Sequence, residues 1–443
     1  MKRKTIIDKN VIRKKCGILL FILASLNGIC QQRLSLEEAI NIALQKSLDI
    51  KIARNNLEAS LVNNHISVAG GLPNVSATGA NNRSLTNLTQ ELSSGVKTQR
   101  NNVSNNSLTA GLAGNFVLFN GFKVQATKAR LAALENQSDV LVNVQVQNVI
   151  ADVMVKYYDI VRQQGYLKTI NEALAVTLQR KRLIEIKQSV GLANNADLFQ
   201  VQLDSTASVQ DLRSQQLILD QAKADLMNLL YQRPDSLFAI RDSIVVDTTI
   251  NIDSVKMRLR LNPEILSAEQ QVRINELIVN EVGSQRYPAV SLNGGYNFSR
   301  SQNGAGLTLL NQTTGPFIGI NLSVPIFNGG LYKRQQRVAE INTRNAVLTE
   351  AQLLNTLQTS AVKSYQAYQS SLYQLNTERE NNKVAAALLD LVSKRFELGV
   401  GTILDLRAAQ QSFTDAGFRL VNLSYAAKVA EIELKRISSV LVP

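Results

Sequence analysis

The chain has 443 residues, of which 45% are hydrophobic, one is His, two are Cys and none is Trp. Zinc and similar metals need several His or Cys ligands together, so this composition argues against a His/Cys metal centre, and we expect no metal and no cofactor. Residues 1–30 carry seven Lys/Arg and one acidic residue, which leaves about +7 of the formal net charge of +13 for the rest of the chain. No basic cluster is interleaved with aromatic residues, so we expect no nucleic-acid partner.

Catalytic motifs are missing from the sequence. A Ser-His-Asp or Cys-His arrangement would have to use His65, which lies in "LVNNHISVAGG" without a nucleophile motif. We interpret His65 as a polar residue on a helix surface. Carboxylates are present, but no pair occurs in a cleft-forming motif. We therefore predict that the protein is not an enzyme and that it has no catalytic residues.

The first thirty residues have the pattern of a secretory signal peptide. Seven basic residues precede the apolar run "GILLFILASL", and Gly28-Ile29-Cys30 is a small-x-small cleavage pattern. The apolar run is too short to span a bilayer comfortably. The alternative is a lipoprotein signal with Cys30 acylated, although Ile29 stands where a lipobox has Gly, Ala or Ser.

The first half of the mature chain alternates between helix and strand signals. "SLEE" at Ser35 is a capping box, and apolar residues at helical spacing follow it. A very long helical pattern, interrupted only by Gly165, ends at Gly191, where glycine is typical of a helix C-terminus. The predicted elements are a helix from Ser35, strands at 73–83 and 107–119, a polar loop at 84–106, a long helix at 122–190 and a returning helix at 194–231.

The second half repeats this order after a linker that begins past Pro234. Between Leu331 and Leu398 the sequence has no Gly and no Pro, and this helical pattern ends at Gly399. The predicted elements are a helix from Asp253 to about Arg286, strands at 289–300 and 316–327, a polar loop at 302–315, a long helix at 331–398 and a returning helix at 402–438. We interpret both polar loops as extracellular.

Matching phrases show that the two halves are copies of one unit. "NFVLFNGFK" from Asn115 and "SVPIFNGGLYK" from Ser323 lie at an offset of 208 residues, as do Gly191 and Gly399. Upstream, Pro73 and Pro288 match at an offset of 215, so seven residues are inserted between Pro73 and Phe119. We expect this insertion in a loop, where extra length costs least.

These matches predict the domain organisation. The expected divisions are a signal peptide at 1–30, a first repeat at 31–233 with a β-hairpin at 72–120 and a helical hairpin at 121–231, an equatorial linker at 234–253, and a second repeat at 254–443 with a β-hairpin at 288–328 and a helical hairpin at 330–438.

The strands and long helices point to a membrane channel. Apolar residues alternate with small or polar ones, which is typical of a transmembrane β-barrel and equally of a soluble sandwich with one wet face. A helix of about 68 residues is a rod of about 100 Å, longer than a compact domain needs. Four strands cannot close a barrel in lipid, because an open edge leaves backbone groups unpaired. We therefore expect an oligomer, and three copies would give twelve strands.

In these motifs the sequence resembles the TolC-type outer-membrane efflux proteins. The resemblance rests on "LSLEEAINIALQKSLDI", the two Phe-Asn-Gly turns, "RFELGVGTILDL" and the duplicated order of elements, and covers nearly all of the mature chain. It implies a homotrimer with a twelve-stranded barrel in the outer membrane of a Gram-negative bacterium and a long α-helical barrel across the periplasm. It further implies a passive export duct of a tripartite efflux or type I secretion system, docked by a periplasmic adaptor and an inner-membrane pump of RND or ABC type.

The resemblance also implies roles for individual residues. Asp405 matches an aspartate ring that narrows the periplasmic end, whereas the family's second acid is replaced by Ala408. The alternative for Asp405 is a residue that stabilises a helix N-terminus. The matching tip positions that meet the adaptor in relatives are Gly191, Asp197, Gly399, Gly401 and Thr402, and the strand-to-helix turns are Asn120, Gly121, Asn328 and Gly329. For Asp197 we favour a helix-capping role.

One alternative function comes from a different class. A periplasm-spanning structural or adhesive coiled-coil trimer would have no conducting lumen and would show a strict heptad seam. The apolar faces of these helices are broad and interrupted by Gln, Asn and Ser, which favours a tube with a wet interior.

Overall fold

A computed structural model describes residues 32–235 and 238–441, which form eight α-helices and six β-strands. The predicted signal peptide, with Cys16 and Cys30, lies outside the described residues. None of the described helices has the length and hydropathy that crossing a membrane demands.

The first half has its elements in the predicted order, except that the single helix predicted from Ser35 is two helices that meet at Ser47. These elements are β1 (Gln32–Arg33), α1 (Leu36–Lys46), α2 (Leu48–Asn63), β2 (Asn74–Glu91), β3 (Lys97–Asn120), α3 (Lys123–Ser189) and α4 (Asn195–Leu229). The capping box is confirmed: the Ser35 hydroxyl accepts a hydrogen bond from the Glu38 N–H, and the Glu38 carboxylate accepts one from the Ser35 N–H at 2.9 Å.

The second half repeats this order of elements. Its elements are β4 (Phe238–Ala239), α5 (Ile252–Arg258), α6 (Pro263–Gly283), β5 (Ala289–Asn303), β6 (Leu310–Ser323), α7 (Leu331–Glu397) and α8 (Ile403–Ile437). The prediction of one helix from Asp253 to Arg286 is wrong, because Pro263 removes a backbone donor and forces Asn262 into an extended conformation. Asn262 then caps α6 through a hydrogen bond from the Glu264 N–H.

The long helices pack in two antiparallel hairpins. Helices α3 and α7 each have 67 residues, and α4 and α8 each have 35. At about 1.5 Å per residue, 67 residues extend about 100 Å. Midway along α3, buried Tyr157 donates a hydrogen bond to the Leu34 carbonyl at 3.0 Å, and it packs within a core that α1, α3 and α4 share.

The four long strands form one antiparallel sheet in the order β2-β3-β5-β6. Paired residues share a face, and side chains alternate between faces along a strand. Leu112 pairs with Tyr296, and Gly111 pairs with Asn297, so the apolar and the small or polar residues separate onto opposite faces as predicted. We call the second of these the polar face.

The strands are longer than the sequence predicted. The polar segments 84–106 and 302–315, interpreted as loops, are mostly strand, and the connections are only residues 92–96 and 304–309. The seven extra residues of the first half lie in strand as well, because β2 and β3 have 18 and 24 residues against 15 and 14 in β5 and β6. Conversely, β6 ends at Ser323 instead of 327, where Pro325 supplies no N–H for pairing.

Residues 240–251 have no helix or strand and are fixed onto α8 by buried charges. The Glu431 carboxylate, which is 1% exposed, accepts hydrogen bonds from Lys428 at 2.9 Å and from the Asp247 N–H at 2.9 Å. The Asp247 carboxylate in turn lies 3.1 Å from the Lys435 ammonium. Hydrogen bonds from Thr249, followed by the Lys435 contact, lower the pKa of Asp247 to about 2.

A folded-state pKa below the usual value means that ionised Asp247 stabilises the fold. This contribution is complete above the usual pKa of 3.8 and is lost as the pH falls towards about 2. We expect Asp247→Asn to lower the free energy of unfolding by about 1 kcal/mol at pH 7, with solvent screening limiting the effect. Thermal unfolding of the unsubstituted protein and the variant from pH 7 to pH 3 checks this expectation. The difference between their unfolding temperatures should become smaller below about pH 4. A difference that does not change with pH would contradict the role assigned to Asp247.

Candidate functional site at the helical tips

Both helical hairpins turn through the same backbone geometry. Gly191 has φ +76° and Gly399 has φ +78°, the left-handed conformation that favours glycine. At each tip the N–H group after the glycine closes the helix end: Leu192 donates to the Lys187 carbonyl at 2.7 Å, and Val400 donates to the Arg395 carbonyl at 3.0 Å. The matched glycines of the two repeats therefore hold equivalent places in the structure.

The returning helices also begin alike, each with a polar N-cap residue in an extended backbone conformation. The Asn194 side chain accepts a hydrogen bond from the Asp197 N–H at 2.8 Å, and the Thr402 hydroxyl accepts one from the Asp405 N–H at 3.1 Å. Asp405 completes a capping box, because its carboxylate accepts from the Thr402 N–H at 3.2 Å. Hydrogen bonds with the Thr402 hydroxyl and N–H lower the pKa of Asp405.

Asp405 lies six residues past Gly399, in the first turn of α8, which starts at Ile403. Its carboxylate is exposed at the extreme end of the hairpin and carries a negative charge at neutral pH. This geometry suits a charge at the rim of a tube, and it suits helix capping equally.

The tips expose apolar side chains to solvent. Five such residues are between 64% and 79% exposed in the protomer: Val190, Leu192, Leu398, Val400 and Leu404. Exposed apolar residues clustered around a turn are typical of an interaction surface. Gly401 is needed between them, because a Cβ there would lie 3.1 Å from the Phe396 nitrogen.

The two tips contact each other directly. The Lys187 ammonium donates to the Phe396 carbonyl at 3.2 Å and lies 4.7 Å from the centroid of the Phe396 ring. These contacts join the C-terminal turn of α3 to that of α7. The predicted tip residues of the two repeats are thus brought to one end of the molecule.

Sequence reasoning missed a charged cluster above the tips. Arg180 of α3 is 3% exposed and donates to the Asp204 carboxylate of α4 at 2.6 Å, while Arg407 of α8 approaches the same carboxylate at 3.3 Å. Burial lowers the pKa of Arg180, and the charge of Asp204 opposes this shift. One signal could have revealed the pair: Arg180 and Asp204 are equally far from Leu192 at the turn, so an antiparallel hairpin places them side by side.

The strand-to-helix turns lie at the opposite end of the long helices. Gly121 and Phe122 have φ +67° and +65°, and Gly329 and Gly330 have φ +64° and +74°. The Asn120 side chain accepts a hydrogen bond from the Val124 N–H at 3.3 Å, which starts α3 directly after β3. In the second half the Asn328 carbonyl accepts from the Leu331 N–H at 3.3 Å, five residues after β6 has ended.

Across 32–235 and 238–441, no three His, Cys, Asp or Glu side chains come together in a group that could hold a metal ion. The features that stand out are therefore a sheet with two open edges, a rod of helices and an apolar tip.

Comparison with known proteins identifies relatives of this arrangement. The outer membrane efflux protein family matches residues 39–230 and 255–439. Outer membrane protein TolC of Vibrio cholerae is 23% identical, over 66% of this chain and 67% of that protein. The probable efflux pump outer membrane protein TtgC of Pseudomonas putida is 22% identical, over 90% of this chain and 82% of that protein.

Solved structures share the fold. The outer membrane protein VceC of Vibrio cholerae superimposes with a TM-score of 0.74 at 19% identity, over 91% of this chain and 95% of that one. CusC gives a TM-score of 0.74 at 17% identity, over 92% of both chains. These likenesses confirm the predicted fold class, a mainly α-helical, internally duplicated protomer that contributes four strands to a membrane barrel.

Proposed function

Because the chain belongs to the outer membrane efflux protein family, we propose that it forms the exit duct of a tripartite efflux or type I secretion system. The resemblance predicted from its motifs is confirmed by the family match, and the protein is an outer-membrane efflux channel. The finer proposal concerns assembly, docking and gating. It is supported chiefly by one observation: the two hairpin tips share one geometry and expose apolar side chains about 100 Å from the sheet.

Assembly follows from the edges of the sheet. Within the described chain, β2 and β6 each pair on one side only, so each presents a row of unpaired backbone groups. In lipid such edges are costly, and closure of a barrel removes them. We propose a homotrimer in which β6 of one protomer pairs with β2 of the next, with the apolar face towards outer-membrane lipid and the polar face towards the lumen.

Docking follows from the tips. Val190, Leu192, Leu398 and Val400 are exposed at the end of the molecule farthest from the strands. A periplasmic adaptor protein that covers them would connect the duct to an inner-membrane pump of RND or ABC type. Transport through such a duct is passive, and the proposal assigns no enzymatic step to this chain.

Reconstitution of the purified protein tests the proposal. The mass in detergent should be that of three chains, and planar bilayers should show single-channel conductance. A folded monomer that is stable in lipid would overturn the assembly. A trimer without conductance, even when tip mutations separate the helices, would instead support the structural or adhesive coiled coil.

Asp405 provides a separate test of the periplasmic end. Three copies of this exposed carboxylate in one ring would attract cations and bind divalent or trivalent blockers. We expect Asp405→Asn to reduce the channel's preference for cations and its block by divalent or trivalent cations, while the trimer stays intact. The single change should remove most of the effect, because Ala408 offers no second charge. Reversal potentials under a salt gradient measure the preference.

Asp197 is the matched control for this experiment. It occupies the same position in the first turn of α4, so Asp197→Asn changes the same interaction with the helix dipole. Only Asp405→Asn should alter selectivity. Equal effects of the two substitutions, or none, would leave Asp405 as a helix-capping residue.

A further inference from the structure

The connection between β5 and β6, residues 304–309, folds back over the first β-hairpin. The Gly304 N–H donates to the Ser104 carbonyl at 2.9 Å, which holds the start of the connection on β3. A Cβ on Gly306 would lie 3.5 Å from the Leu88 Cδ2 and 3.5 Å from the Gln90 Oε1, both on β2. The connection thus reaches from β5 across β3 to β2, a distance of about 10 Å at normal strand spacing.

The register shows which face of the sheet the connection covers. Thr86 pairs with Val103, and Val103 lies two and four residues from Asn105 and Ser107, so these side chains share one face. Ser107 pairs with Ser301 on that same face, which is the polar face. Val103 is 7% exposed beneath the connection, whereas Leu85 on the opposite face is 71% exposed. The connection therefore lies on the polar face only.

A gap separates the connection from the strands below it. This cavity of about 460 Å³ is lined by residues of β2 and β3, by Asn303 of β5 and by residues 305–308. The connection stands away from the sheet as an arch, with Leu307 69% exposed on it. It lies at the end of the strands opposite the helices, because β2 and β6 join the helical part through Asn74 and Ser323.

We propose that residues 304–309 restrict the outer mouth of the channel and set the size of solute that leaves it. This inference rests on the proposed function, in which the polar face lines the lumen. Three copies of the arch project into one opening, and the exposed Leu307 side chains form an apolar constriction. The restriction is separate from the periplasmic tips, which lie at the other end of the molecule, beyond the strands and about 100 Å of helix.

Cysteine accessibility from outside intact cells tests the proposal without dependence on the tips. The chain's own cysteines, Cys16 and Cys30, both lie in the predicted leader, so the unsubstituted protein is the labelling blank. Thr109→Cys places a reporter on the polar face, closer to the helices than the arch, since Thr109 pairs with Ser299. It is combined with replacement of residues 304–309 by Asn-Gly, or with Leu307→Ser if the shorter turn does not fold.

A small fluorescent maleimide should label the reporter in every background. A polyethylene-glycol maleimide of about 5 kDa should label it at least about ten-fold faster when the arch is shortened, and measurably faster with Leu307→Ser. Val96→Ser, an exposed apolar residue on the other strand connection, is the matched control and should change nothing. Equal rates for the large reagent with and without the arch would overturn the restriction. Failure of the small reagent to label Thr109→Cys at all would instead show that the polar face is not a lumen.

Discussion

Gly121→Ala is expected to abolish assembly of the channel, whereas Gly329→Ala should leave a folded trimer. Both glycines have a positive φ, +67° and +64°, so both substitutions carry the same backbone strain of about 1 kcal/mol. Their surroundings differ. A Cβ on Gly121 would lie 2.5 Å from the Ser284 carbonyl oxygen and 2.6 Å from the Tyr287 Cβ, while nothing lies within 4 Å of a Cβ on Gly329.

The Ser284 carbonyl belongs to the backbone at the end of α6, so it cannot rotate away as a side chain would. Relief of the clash requires α6 or β3 to shift, and overpacking of this kind costs about 1–3 kcal/mol or more in addition to the strain. The trimer yield in outer-membrane fractions and the midpoint of guanidinium unfolding measure the difference. Similar behaviour of the two variants would show that the crowding at Gly121 relaxes freely.

Gly399→Val should stop adaptor-dependent export while the trimer still inserts in the membrane. Gly399 has φ +78° at the α7–α8 tip, a conformation that β-branched residues resist strongly. The substitution distorts the turn that presents Leu398 and Val400. A loss of about 1.4 kcal/mol in docking already weakens binding ten-fold, and we expect at least a ten-fold loss in cross-linking to the adaptor, with export lost alongside it.

Gly95→Val is the matched control for the tip. Gly95 has φ +81° and, like Gly399, has no atom within 4 Å of an added Cβ, but it lies in the turn between β2 and β3. The two substitutions therefore impose the same local strain at opposite ends of the molecule. Wild-type export by the Gly399 variant, or equal loss in both variants, would contradict the assignment of the tip.

The helical part of the fold could be predicted closely from the sequence. The segments 122–190 and 331–398 are found as Lys123–Ser189 and Leu331–Glu397, because an unbroken helical pattern ended by glycine leaves few other structures. The outer ends of the strands could not be predicted. Between Ser84 and Asn106 neither face needs to be apolar, so the alternation that reveals a strand disappears although the backbone still pairs.

The residues of the candidate site likewise divide into those that could be predicted from the sequence and those that could not. Gly191 and Gly399 were found from sequence because a helix end constrains its own residues. The ion pair between Arg180 and Asp204 was not, because an isolated charge in a helical pattern is usually solvated. The break at Asn262 was missed for a local reason: the helical pattern of apolar residues continues on both sides of Pro263, so periodicity alone does not reveal it.

The equal lengths of the duplicated helices, 67 with 67 and 35 with 35 residues, constrain how such a chain can evolve. One extra turn in a single hairpin would push its tip about 5.4 Å beyond the other, so the two ends of the protomer would no longer be level. Insertions and deletions in the helices must therefore occur in both copies together. The outer ends of the strands do not have to lie at one level, and there the two copies differ in length. Strands β2 and β3 have 18 and 24 residues, whereas β5 and β6 have 15 and 14. A single inserted turn in one helical hairpin is therefore expected to misalign the tips, whereas a change of strand length in one copy leaves them level.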